Sequence, residues 1–92
     1  MNKVRRKALA AIVERMEKER EIIESLKEDL EALKDEEAEY LENIPENMQQ
    51  SERYETAEAA VEQLEGAMDS LEAILDSLDE AAEAIGEATG QN

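Results

Sequence analysis

The chain has 92 residues, enough for one domain, and carries 26 acids against 10 bases for a formal charge of −16. It contains no Cys, His, Trp or Phe, which removes disulfides, thiol nucleophiles, Cys/His zinc sites and imidazole acid–base chemistry. Apolar residues are 41% of the chain and recur periodically, so the high charge does not read as disorder.

The opening, with Lys3, Arg5, Arg6 and Lys7, has the basic flank of a signal peptide, but charge returns at Glu14 without a cleavage-type context. Apolar runs such as Ala8 to Val13 are too short to span a membrane. The expectation is a soluble, cytoplasmic protein with no membrane association. From Leu9, taken as heptad position a, the a and d positions run Leu9, Ile12, Met16, Glu19, Ile23, Leu26, Leu30, Leu33, Glu37, Tyr40 and Ile44. That alternation of three and four predicts a long helix over about 3–43, with a coiled-coil seam rather than the broader stripe of a globular helix.

Pro45, the sole proline, lacks an N–H and clashes with a preceding helical turn, and it biases Ile44 away from the helical region. Residues 44–50 therefore read as a turn. Asn47 and Ser51 are candidate N-caps for a second helix, and Glu52 and Glu55 suit its positive start. That helix is predicted over about 51–86. Its seam, Tyr54, Ala57, Val61, Leu64, Met68, Leu71, Leu75, Leu78, Ala82 and Ile85, has no polar break. Residues 87–92, after Gly86 and around Gly90, read as a frayed stop. A short connection between long helices favours an antiparallel hairpin, so residues 1–92 form a single all-α hairpin domain.

The charge rows bear on that orientation independently. Position e carries Arg20, Lys27 and Lys34 in the first helix, and Glu58, Glu65, Glu72 and Asp79 in the second. Antiparallel packing sets e beside e, and the pairs Arg20–Asp79, Lys27–Glu72 and Lys34–Glu65 fall in one register. Each exposed pair contributes only roughly 0.2–1 kcal/mol, so the row specifies orientation more than stability. The basic opening would then lie beside Glu83 and Glu87 and neutralise that end. Four bases without aromatics make a weak nucleic-acid signal, and no direct nucleic-acid binding is expected.

The second helix carries Glu55, Glu58, Glu62, Glu65, Asp69, Glu72, Asp76, Asp79 and Glu83 at spacings of three and four without exception. These b and e positions form one stripe, of which the b members Glu55, Glu62, Asp69, Asp76 and Glu83 should face solvent. At about 1.5 Å per residue the stripe has one acid per about 4–5 Å of axis, near the roughly 3.4 Å phosphate spacing of one DNA strand. A solvated face is the plain reading. The sharper one is a nucleic-acid mimic that occupies the basic groove of a DNA- or RNA-binding protein. Metal binding is the weakest, because no calcium-loop or Glu-x-x-His pattern is present. Glu19 and Glu37 interrupt the first seam, but on the order of 27 Å along one helix separates them, which excludes a catalytic dyad. Low-bulk rows, Ala59, Gly66 and Ala73 at f with Ala60, Ala67 and Ala81 at g, would let another helix approach. A homodimer closing a four-helix bundle is the expectation.

The hinge IPENMQQSERYE, followed by AEAAVEQLEGAMDSLEAILDSL, resembles a group of small acidic hypothetical proteins from phages and mobile elements of Firmicutes. In these a charged helix leads into a Pro-Glu-x-x-Gln-x-Ser-Glu-Arg hinge and an acidic repeat. The resemblance covers roughly residues 36 to 80, and its specific part is Pro45, Glu46, Gln49, Ser51, Glu52 and Arg53. The group has no assigned activity. It implies an accessory protein acting in the host cytoplasm, for which inhibition of a host nucleic-acid-binding system is a recurrent strategy. Arg53 is expected to bind back to Glu46 or Glu42 and so fix the turn, with a partner-binding hinge as the sharper alternative. The functional expectation is a non-enzymatic acidic protein-interaction module with no cofactor. The alternative is a structural coiled-coil oligomer or adaptor with a solvated acidic face.

Overall fold

A computed structural model describes residues 1–90, so Gln91 and Asn92 of the expected tail lie outside the described residues. Helix α1 spans Lys3–Glu42 and helix α2 spans Glu52–Ala88, with a single 3-10 turn at Glu46–Met48 between them. The described residues contain no strand. The two helices lie antiparallel as a hairpin of 69 × 17 × 15 Å.

Local chemistry accounts for each boundary. The Asn2 side chain accepts from the Arg5 N–H at 2.8 Å and starts α1. At its other end the chain turns through Asn43, and Pro45 sits in an extended conformation that α1 cannot continue through. Its carbonyl accepts from the Met48 N–H at 2.8 Å, which closes the 3-10 turn. Ser51 is the N-cap of α2. Its hydroxyl accepts from the Tyr54 N–H at 3.2 Å and donates to the Met48 carbonyl at 2.7 Å, joining turn to helix. Helix α2 runs past Gly86 to Ala88, two residues beyond its expected end. Gly90 stops it with φ +73, and its N–H donates to the Glu87 carbonyl at 3.1 Å, half of a left-handed glycine cap.

The seam of α2 lies where its pattern places it: Tyr54 through Ile85 at a and d are all buried or half-buried. The seam of α1 does not. Toward α2 this helix presents Leu9, Val13, Met16, Arg20, Ile23, Lys27, Leu30, Lys34, Glu37 and Leu41, which are positions a and e. The expected d row is turned outward instead: Ile12, Leu26, Leu33 and Tyr40 are 42%, 50%, 56% and 38% exposed. Rotation of α1 by about one heptad position brings the stems of Arg20, Lys27 and Lys34 against α2, where they cover apolar surface, and the heads of Arg20 and Lys27 reach its acidic row.

Among the described residues only Ile44, Ala57 and Leu75 are buried apolar residues, so the core is a line and not a volume. Gly66 has open space where a Cβ would stand. The Gly66→Ala variant should therefore be more stable by roughly 0.5–1 kcal/mol, through helix propensity alone. A thermal melt would show this as a rise of about 2–8 °C in Tm. A fall would mean that Gly66 is in contact with something outside the hairpin.

Candidate interaction surface

Along α2 all nine carboxylates from Glu55 to Glu83 are exposed. The five at position b, Glu55, Glu62, Asp69, Asp76 and Glu83, form no ion pair with any described residue. The e members differ because they border α1. Arg20 Nε donates to Asp79 Oδ1 at 2.7 Å and its Nη2 donates to Oδ2 at 3.1 Å, a two-pronged contact that fixes both planes. The same guanidinium also bridges to Glu24 one turn along α1. Lys27 Nζ donates to Glu72 at 2.5 Å. These two links tie the same pair of rows two turns apart and hold the antiparallel register.

The third expected link is not made. Lys34 pairs with its neighbour Asp35 at 2.8 Å, and Glu65 acts on it only at longer range. Asp35 is within reach without ordering a second helix. Of the e row, Glu58 and Glu65 therefore join the five b-position acids as carboxylates without an ion-pair partner among the described residues. The hydrogen bond from Arg20 holds the Asp79 carboxyl below its usual value despite some desolvation. The bond to Glu72 raises Lys27, and the bond to Asp35 raises Lys34.

At the hinge, Arg53 binds neither Glu46 nor Glu42. Its Nε donates to the Tyr40 hydroxyl, and the guanidinium carbon stands 5.2 Å from the centre of that ring. The contact fastens the start of α2 to the end of α1 through a ring edge and face, worth about 0.5–1 kcal/mol at an exposed site. The signal for it was Tyr40 at a d position facing the only base beyond Lys34. Pro45 and Ser51 shape the turn through backbone contacts, and the solvent-facing Glu19 is 18 residues from half-buried Glu37 on α1. No described group of three or more acids is arranged to hold a metal ion. No described helix is long and apolar enough to cross a membrane. An open groove of about 380 Å³ between the helices, near Arg6, Val13 and Ile85, has no acid or amide among its lining residues.

Two faces thus stand out: the carboxylate stripe on α2, and the outward d row of α1, which Ile22 (53% exposed) extends and Ile74 (45%) on α2 flanks. Comparisons with protein-family models, curated proteins and solved structures give no match.

Two measurements test the electrostatics. Like charges at i and i+4, as in Glu58/Glu62 and Glu65/Asp69, oppose the helix modestly. Added salt should raise Tm by screening them; a fall would mean that the cross-helix pairs outweigh the repulsion. Arg20→Gln should lower Tm at neutral pH. A carboxyl with a depressed folded pKa contributes stability above its unfolded value, here 3.8, and loses it as pH falls through the lower folded value. The gap in Tm between Arg20→Gln and the native chain should therefore close in acid, as pH falls below 3.8 and through the lower folded value.

Proposed function

We propose that this chain is a non-enzymatic protein-interaction module whose α2 stripe engages a basic surface, in the manner of a nucleic-acid mimic. The observation that supports this is the b row: five exposed carboxylates, one every seven residues, with no ion-pair partner among the described residues. A rigid helix fixes their spacing in advance. A basic groove therefore meets a preordered line of charge and does not have to order a flexible chain. The resemblance at the hinge gives the reading a setting, an accessory protein that acts on a host nucleic-acid-binding system.

The experiment is capture of partners on the immobilised chain at low salt, with duplex DNA as competitor. A nucleic-acid-binding protein that is retained, displaced by DNA, and lost with Glu62→Gln, Asp69→Gln and Asp76→Gln at unchanged helicity supports the mimic. Retention that survives those three changes overturns it.

A second reading, a structural coiled-coil oligomer in which two hairpins close a four-helix bundle, is favoured by the exposed d row of α1. It predicts that Leu33→Glu, on that row and 56% exposed in the hairpin, abolishes assembly while the three neutralisations leave it intact. The two readings use different faces and can hold together.

A further inference from the structure

We infer that the outward d row of α1 is the interface for a second copy of this chain, and that the two copies meet antiparallel, α1 against α1, about a two-fold axis at Leu26. The inference rests on the oligomer reading and adds to it the face and the direction of assembly. Three independent features carry it.

The first is area. The chain exposes 7057 Å², whereas a globular monomer of 10.4 kDa exposes about 5,400 Å². The excess, on the order of 1,600 Å² per copy, matches the share of one subunit in a large permanent dimer interface. The apolar side chains available to fill it are Ile12, Ile22, Leu26, Leu33 and Tyr40 on α1, with Ile74 on α2 beside them. The g row of α2 on the same side, Ala60, Ala67 and Ala81, is low enough for a second α1 to approach.

The second is charge along the rod. Residues 1–22 and 77–90, which form the open end, hold seven bases and eight acids, a net of −1. Residues 23–76, which form the turn end, hold three bases and 18 acids, a net of −15. Parallel association would set the two strongly charged ends side by side. Antiparallel association sets each against a nearly neutral end, a difference that is largest at low salt. The acidic stripe lies on the Arg20 side of the hairpin, opposite the d row, so it stays outward in the dimer.

The third is the row itself, which is self-complementary when reversed about Leu26. Leu26 meets its own copy, and Ile12 lies opposite the second Tyr40. Leu33 lies opposite the second Glu19, whose alkyl stem can cover it while the carboxylate reaches the rim. In the flanking g row, Arg15 comes beside the second Glu36, and symmetry makes that pair twice. A parallel dimer would set the two g rows on opposite sides of the seam, so Arg15 and Glu36 would not meet. A C2 interface requires this kind of self-matching from one patch.

The test exploits the absence of cysteine from the native chain. Sedimentation equilibrium first fixes the mass of the native chain. Ile12→Cys and Tyr40→Cys variants are then mixed, equilibrated and gently oxidised. The expected results are a dimer and a mixed 12–40 disulfide in large excess over either symmetric product. Leu26→Glu, at a position 50% exposed in the hairpin, should weaken dimerisation by on the order of a hundredfold with helicity unchanged. A monomeric native chain would overturn the oligomer reading and this inference together. A dimer that yields 12–12 and 40–40 disulfides would leave the oligomer reading standing and overturn the antiparallel direction. A dimer indifferent to Leu26→Glu would place the interface on another face.

Discussion

Three cations on α1 decide which side of that helix meets α2. Arg20, Lys27 and Lys34 recur every seven residues at a position flanking the apolar seam. Their heads are drawn to the acidic row of α2, where Asp79 and Glu72 receive two of them. Their stems must then cross the interhelical gap, and aliphatic stems pack on leucine almost as a hydrophobic residue would. The result is a seam of a and e positions in α1 against a and d positions in α2. Each exposed pair is weak by itself. Its effect on orientation is large because the opposing core, with three buried apolar residues among those described, offers little competition.

That rotation has a cost, and the cost is visible on the other side. Turning e inward turns d outward, so four large apolar side chains of α1 stand in water beside Ile22. A chain of this composition has no alternative way to bury them, because two helices of similar length share only one line of contact. At about 25 cal/mol per Å² the exposed row represents a substantial unused driving force. An isolated hairpin of this kind should therefore be marginal, and the same residues that weaken it alone supply what association needs.

Much of this was legible in the sequence, for identifiable reasons. Proline and the serine cap marked the turn because they act on the backbone locally. The antiparallel direction, with Arg20 opposite Asp79 and Lys27 opposite Glu72, came from row against row at a fixed spacing. The facing of α1 was not legible, because its apolar residues occupy a, d, e and g together. A pattern that wide names a stripe without saying which half meets which neighbour. Lys34 and Arg53 escaped for a different reason. Each had several partners within a side chain's length, and Asp35 and Tyr40 required less ordering than the acids that the heptad suggested.

The two proposed faces are separable because the charge that makes one would also direct the other. The acids at b and e of α2 crowd one side of the rod and most of its turn end. Any second copy approaching from that side meets repulsion, while the opposite side offers apolar contact and an α1 that is basic at its start and acidic at its end. On the proposed reading, charge that would engage a basic partner would also disfavour a wrong dimer, which is how like charge commonly contributes to specificity. A dimer assembled through α1 would carry two carboxylate lines on its outer sides, running in opposite directions. A basic partner that contacts both copies would then be held by two stripes in place of one, with the gain in retention that linked sites confer.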